Sequence, residues 1–391
     1  MKINSLKNLR QLAGKKIFLR LDFNVPIKDG KIKDDYKIVA GLETIKFLTA
    51  KKACLIIATH LGDPGGKFDK TLSTAPLAVR LRKLSGLKVK LAGDVCGEKT
   101  KQMAQKLLPG EILFLENLRF EAGELADDIK FAQQLAKMSD VYVNDAFAVS
   151  HRAQASVSAI KKYLPAYAGL LLEKEVRAIE RAMKPKKPLV TVMGGAKIST
   201  KAPLINSLYP VSSKILLGGG LANSFWKFQE QEIGRSLYDK DSAGEIKKIL
   251  RGRLKDKKIV LPIDVVVKTK SGKAQAKKLI EIKKTDTIFD IGPETISLFA
   301  QHIKSAQTLI WNGPLGKFEE QSFKNGTLSV ARLIASRAGG RAYGLAGGGE
   351  TVEALKLSGM IEYMDWVSTA GGAMLAYLGK EKMPGLKKIV S

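Results

Sequence analysis

The stretch RAYGLAGGGETVEAL (341–355) holds the decision about the fold. An apolar run ends in three consecutive glycines, and the spacing after Glu350 and Thr351 is that of a helix. Strand, glycine turn and helix start is the repeating unit of a parallel α/β sheet. The same rhythm extends outward in both directions. In the first half KKIFLRLDF, ACLIIATH, VKLAG, EILFLENL and VYVNDAF read as strands. Between them DYKIVAGLETIKFLTA, APLAVRLRKLSG and DDIKFAQQLAKM carry helical periodicity. In the second half PLVTVMGG, KILLGGG, KIVLPIDVVV, TLIWNG and RAYGLAGG read as strands. Strands that are apolar along their whole length, separated by helices, predict parallel sheets covered on both faces.

The length of 391 residues fits two domains, and 45% hydrophobic residues are enough to fill two cores. Between the halves LLLEKEVRAIERAMKPKKP reads as a connector helix stopped by Pro185 and Pro188, with the domain boundary near residues 170–186. No apolar run approaches the roughly 18 residues of a membrane span. The opening MKINSLKNLRQL lacks the apolar centre of a secretion signal, so a cytoplasmic protein is expected. Two cysteines, Cys54 and Cys96, give neither a disulfide framework nor a zinc site. The net charge of +28 favours anionic partners. The lysines are scattered rather than blocked and no nucleic-acid-binding pattern appears, so a generally basic surface is preferred to a polyanion partner.

The two halves differ in chemistry. Glycine loops gather in the second, at Gly194-Gly195, Gly218-Gly219-Gly220, Gly347-Gly348-Gly349 and Gly371-Gly372. A single glycine at a strand end is more often a tight turn than a ligand cradle. Four in one domain favour a nucleotide, because glycine lets phosphate approach backbone N–H groups at helix starts. Neither the dinucleotide fingerprint nor the P-loop pattern is present. The first half instead carries Asp22, Asn24, His60, Arg119, His151 and Arg152 just beyond its strands. Parallel topology collects strand ends at one edge, and guanidinium forks there suit a small phosphorylated acid. A nucleotide half and an anion half point to phosphoryl transfer after hinge closure.

Eleven motifs then stand in order along the chain: RLDFNVP (20–26), THLGDP (59–64), ENLRF (116–120), DVYVNDAF (140–147), HRAQAS (151–156), GGAKISTK (194–201), LPIDVVV (261–267), DIGPET (290–295), WNGPLGKFE (311–319), GGGET (347–351) and STAGGA (368–373). Over essentially its whole length the chain resembles the phosphoglycerate kinase family. The resemblance implies two Rossmann-like domains with parallel sheets. These are a phosphoglycerate domain over 1–169 joined by a returning tail at 380–391, the connector over 170–186, and a nucleotide domain over 187–379. It implies reversible transfer from 1,3-bisphosphoglycerate to ADP, giving 3-phosphoglycerate and MgATP, in a cytoplasmic monomer.

By position, the resemblance assigns Asp22, Asn24, Lys37, His60, Arg119 and Arg152 to the substrate. It assigns Lys197, Lys37, Gly348 and Gly371 to the transferring group. Gly195, Lys197, Lys201, Gly219, Asn312, Glu319, Gly347, Gly348, Gly349, Glu350 and Thr351 fall to the nucleotide, with Glu350 also on Mg²⁺. Five positions depart from the family pattern: Lys37 and Asp63 stand for Arg, Thr200 and Glu350 for Asp, and Ala370 for Gly. Around TIFDIGP, Ile288 and Phe289 also replace a glycine and an aliphatic residue. A working enzyme is expected; the departures supply the alternative of a weakly active or non-catalytic nucleotide-binding relative. A nucleic-acid binder, motivated by charge alone, ranks last.

Overall fold

The computed structural model describes residues 2–28, 30–253 and 256–391. The chain divides into two compact units, one of residues 1–177 with 382–391 and one of residues 178–381. The strands in chain order are β1 (Lys16–Leu21), β2 (Ile27–Lys28), β3 (Lys31–Ile32), β4 (Cys54–Ala58), β5 (Val89–Leu91), β6 (Ile112–Phe114), β7 (Val141–Asp145) and β8 (Ala166–Ala168) in the first unit. The second unit holds β9 (Leu189–Met193), β10 (Lys214–Leu217), β11 (Ile259–Val260), β12 (Asp264–Lys268), β13 (Ala274–Lys278), β14 (Thr287–Ile291), β15 (Thr308–Asn312), β16 (Tyr343–Gly347) and β17 (Trp366–Ser368).

The first unit is built on a six-stranded parallel sheet in the order β5-β6-β4-β1-β7-β8, beside a short β2-β3 ladder. Residue alternation explains the unbroken apolar runs. Ile17, Leu19 and Leu21 of β1 join Leu55 and Ile57 in one cluster. Phe18 points the other way and lies 6.2 Å from the Tyr142 ring. With helices on both faces, every β1 residue after Lys16 is buried. Truncating Leu19, fully buried, to Ala would cost about 2–5 kcal/mol.

The second unit repeats the plan with the order β11-β10-β9-β15-β16-β17, all parallel. The order reverses between β9 and β15, and ligands bind beyond the carboxyl ends of strands at such a switch point. In the first unit the corresponding reversal lies between β1 and β7.

KIVLPIDVVV is not one strand. It breaks into β11 and β12 around Pro262, which has no N–H to give a ladder. β12 then pairs antiparallel with β13 and β14, forming a three-stranded sheet outside the parallel plan. The connector helix runs Leu170–Met183, and the division between units falls inside it.

Carboxylates at strand ends start several helices. Asp145, closing β7, accepts from the Leu172 N–H at 2.9 Å. Asp264, opening β12, accepts from Glu294 and Thr295 N–H at 3.0 and 2.7 Å at the start of helix Pro293–Ser305. Asp290, within β14, accepts from Gly326 N–H at 2.6 Å in the first turn of helix Asn325–Ala338. Each satisfies helix-end donors that have no partner within the helix.

The tail crosses back to the first unit. Lys2 and Asn4 N–H groups donate to the carbonyls of Ser391 and Ile389 at 2.7 and 2.8 Å. Lys161, itself buried, donates from Nζ to the carbonyls of Pro384 (2.5 Å) and Lys387 (2.9 Å). Gly385 is in such close contact that a Cβ there would meet Ser150 Cα at 2.6 Å.

Candidate active site

In the first unit the loops after β1, β4 and β6 bring charged and amide groups together. Asp22 follows β1 directly. Its Oδ2 accepts from Lys37 Nζ at 2.7 Å and its Oδ1 from the Asn24 N–H at 3.1 Å. Burial opposes ionisation of Asp22. The cationic groups around it, with Lys37 bonded directly, and the Asn24 N–H outweigh that, so the carboxyl titrates below its ordinary range. Asn24 in turn accepts from the Gly62 N–H at 3.0 Å, pinning the loop after β4 to the loop after β1.

His60, at the end of β4, is 2% exposed, with Nδ1 4.0 Å from Asp22 Oδ1 and 3.3 Å from Arg20 Nη2. Burial, with the cations Arg20, Arg119 and Lys37 nearby and only Asp22 opposing, holds the imidazole well below its ordinary pKa. Arg119 sits in a single turn after β6 that Asn117 caps at 3.0 Å. Its Nη1 donates to the Gly62 carbonyl at 2.7 Å, while its buried Nε has no partner. Asp63 comes within 3.8 Å of Arg119 Nη1 with its own side chain 75% exposed. Arg152 is exposed and close enough in charge to lower the Arg119 pKa after burial has done so. Five of the six expected substrate residues are thus linked by direct contacts or through Gly62 and the common field. Arg152 joins through the field alone.

Sequence reasoning passed over Arg20, which lies fully buried in β1 behind His60. The signal was available: a single Arg inside the apolar run IFLRL costs a great deal to bury unless it is paired.

In the second unit the loops after β9, β10, β15, β16 and β17 converge. Lys201 Nζ donates to Asn312 Oδ1, and Asn312 Nδ2 donates to the Gly347 carbonyl. The Gly194 N–H bonds to the Asn312 carbonyl (3.0 Å), and the Gly313 N–H to Thr351 Oγ1 (2.7 Å). Gly348 has φ +109°, and a Cβ there would meet Asn312 Nδ2 at 2.9 Å. A Cβ on Gly371 would meet the Gly348 Cα at 2.7 Å, so the last two loops touch backbone to backbone. Burial depresses the Lys201 ammonium to about 8, with Glu350 partly opposing.

A cavity of about 360 Å³ lies along these loops, within the usual range for small-ligand sites. Of the expected nucleotide residues, Gly195, Gly219, Glu319 and Glu350 line it. Lys201, Asn312 and Thr351 knit the loops together instead. Lys197 stands exposed at the N-cap of helix Ile198–Leu208. Trp226, Leu237, Val265, Ile288 and Phe289 form apolar lining that composition did not single out, except for Ile288 and Phe289. Phe289 meets Phe323 edge-on at 4.9 Å, with Lys317 Nζ 4.9 Å from its ring centre. Asp290 also lines the cavity, and burial pushes its carboxyl up to about 7.

The departing positions have plain settings. Ala370 has φ −133°, open to any residue, so no glycine is demanded by its backbone. Thr200 is exposed and donates to the Lys197 carbonyl at 2.9 Å. The carboxylate at the start of that helix comes from Asp239, which accepts the Ile198 N–H at 2.9 Å.

The family model for phosphoglycerate kinase matches residues 6–381. The chain is 39% identical over 384 residues to the phosphoglycerate kinase of Pelotomaculum thermopropionicum, covering 97% of both. It is 40% identical over 394 residues to that of a Geobacter species, covering 99% of this chain and 98% of the relative. Among solved structures, phosphoglycerate kinase from Coxiella burnetii superposes with a TM-score of 0.88 at 37% identity, covering 99% of each chain. The enzyme from Pyrococcus horikoshii gives 0.85 at 30% identity over 98% of each. With motifs, topology, site loops and full-length relatives all in agreement, this chain belongs to the phosphoglycerate kinase family.

Proposed function

We propose that the chain catalyses reversible phosphoryl transfer between 1,3-bisphosphoglycerate and ADP. The first unit binds the phosphoglycerate and the second the nucleotide. The carrying observation is the pairing of two chemistries on one plan: a cationic, amide-rich sheet edge in one unit and a glycine-lined cavity in the other. Arg119 and Arg152, with His60, Asn24 and the Lys37–Asp22 pair, hold the acid and its 3-phosphate. Charge and fork geometry at the arginines match phosphate oxygens.

On the nucleotide side Gly195, Gly219 and Gly347–Thr351 offer backbone to the phosphates, and Glu319, which lines the cavity, bonds a ribose hydroxyl. Lys201 contacts phosphate, and exposed Lys197 serves the transferring group from the second unit as Lys37 does from the first. Gly348 and Gly371 keep that space free of side chains. Mg²⁺ fits Glu350, an exposed carboxylate in the first turn of helix Gly349–Leu357. The metal would be held by that one carboxylate together with the nucleotide phosphates. When bound, Mg²⁺ neutralises phosphate charge; the chain's own task is to position the ligands in line and exclude water.

No helix among the described residues is long and apolar enough to cross a membrane. A cytoplasmic monomer is the setting we assign, from the family's glycolytic role. We give the +28 charge to small anionic ligands and surface solvation rather than to nucleic acid. The test is a coupled assay with 3-phosphoglycerate and MgATP. Turnover that disappears in Lys201→Met and Arg119→Met supports the reading; nucleotide binding without turnover in the unmodified chain would refute it.

A further inference from the structure

Beneath the substrate groups of the first unit lies a buried ionic network that the reaction itself does not require. Arg20, 0% exposed, donates from Nε to Ser156 Oγ (2.9 Å) and from Nη1 to the Leu21 carbonyl (2.5 Å). Its Nη2 lies 3.3 Å from His60 Nδ1 and 3.9 Å from Glu124 Oε1. Glu124, equally buried, accepts from the Ser156 N–H (2.9 Å) and hydroxyl (2.6 Å). Ser156 Oγ therefore accepts from the guanidinium and donates to the carboxylate, using both of its roles. Two buried charges persist only when so paired.

The consequence falls on His60. A guanidinium has donors and no acceptor, so the His60 nitrogen facing it must be the one without hydrogen. The competing arrangement, with Nδ1–H bonded to Asp22, meets a 4.0 Å gap and sets two donors against each other. The remaining neighbours, Lys37 and Arg119, are cationic and add to the case against an imidazolium.

We propose that Arg20, held by Glu124 and Ser156, is a positioning residue that locks His60 in its neutral Nε2–H tautomer. His60 then offers the phosphoglycerate site one fixed donor and never a titrating cation. The lock rests on the coordinates of the network; its value to the reaction rests on the assignment of His60 to the substrate. The burial and cationic surroundings that hold His60 well below its ordinary pKa act in the same direction.

Nitrogen-15 imidazole NMR on the full chain tests this directly, because the sequence has only 3 histidines. His151 and His302 serve as internal references. The expected spectrum shows His60 with hydrogen on Nε2 alone and no titration through the ordinary imidazole range near pH 6.5. The Nε2–H signal should shift when 3-phosphoglycerate is added. A hydrogen on Nδ1, or an imidazolium at pH 6.5, overturns the lock. A locked Nε2–H that ignores 3-phosphoglycerate instead overturns the substrate assignment of His60.

Arg20→Met combined with Glu124→Gln leaves no buried charge unpaired. In it the His60 titration midpoint should rise by about one pH unit or more and the second tautomer should appear. An unchanged, non-titrating Nε2–H signal in that variant removes Arg20 from the role.

Discussion

Asp63 sets a carboxylate against the guanidinium of Arg119, which we propose holds the substrate anion, and Asp63→Asn removes that charge while keeping the side chain's shape. The separation to Arg119 Nη1 is 3.8 Å. Two unit charges about 4 Å apart interact by about 1 kcal/mol in water and about 4 kcal/mol at a protein-surface dielectric. Asp63 is 75% exposed, so the lower figure applies. A difference of about 1 kcal/mol corresponds to roughly a fivefold change in affinity. Arg119 must give up that attraction equally in the ground state and the transition state, so removing it should lower KM for 3-phosphoglycerate roughly fivefold with kcat unchanged. Initial rates in the ATP-consuming direction measure both constants. Repeating them between about 0.01 M and 1 M salt, where the screening length shrinks from about 30 Å to about 3 Å, should close the gap between variant and wild type. Equal KM values at low salt, or a gap indifferent to salt, would show that Asp63 does not compete for Arg119.

Three further outcomes follow from the geometry. Gly371→Ala drives a methyl to 2.7 Å from Gly348 Cα; nucleotide affinity by calorimetry should drop at least tenfold, about 1.4 kcal/mol, with a smaller fall in Tm. Lys201 is depressed to about 8, so it loses its proton as pH rises through that value; KM for the nucleotide should climb between pH 7 and 9, and Lys201→Met should have a high, pH-flat KM over that interval. Lys161→Met leaves the buried carbonyls of Pro384 and Lys387 without their donor, costing about 1–3 kcal/mol, which urea unfolding would register as a lower midpoint.

The strands of both parallel sheets were legible because burial on two faces demands continuous apolar runs, as in IFLRL and TLIWN. The three-stranded antiparallel sheet was not. Its β13 reads AQAKK and is mostly exposed, so it carries neither the apolar run nor the alternation that marks a strand. KIVLPIDVVV misled for a local reason, since apolar content spans a proline that the ladder cannot. At the sites, residue types and order marked out the polar groups that gather in the first unit and the glycine loops that converge in the second. They did not reveal which nucleotide residues line the cavity and which only tie its loops. That distinction depends on contacts between loops far apart in sequence, such as Lys201 with Asn312 and Asn312 with Gly347. Ala370 stands where the family pattern has glycine, and its negative φ of −133° shows that the backbone there does not require one.

The returning tail imposes an order on synthesis. Residues 382–391 belong to the first unit yet leave the ribosome after all of 178–381. Until they arrive, Asn144, Lys161 and the backbone of Asn4 lack the bonds that Gly385, Pro384, Lys387 and Ile389 later provide. The buried side chains Leu386 and Ile389 are missing from the core as well. The second unit is continuous and has every residue it needs as soon as Glu381 is made. On a translating ribosome, the unit begun first is therefore the one completed second, and it waits on the whole of the other to be made before it can finish its own fold.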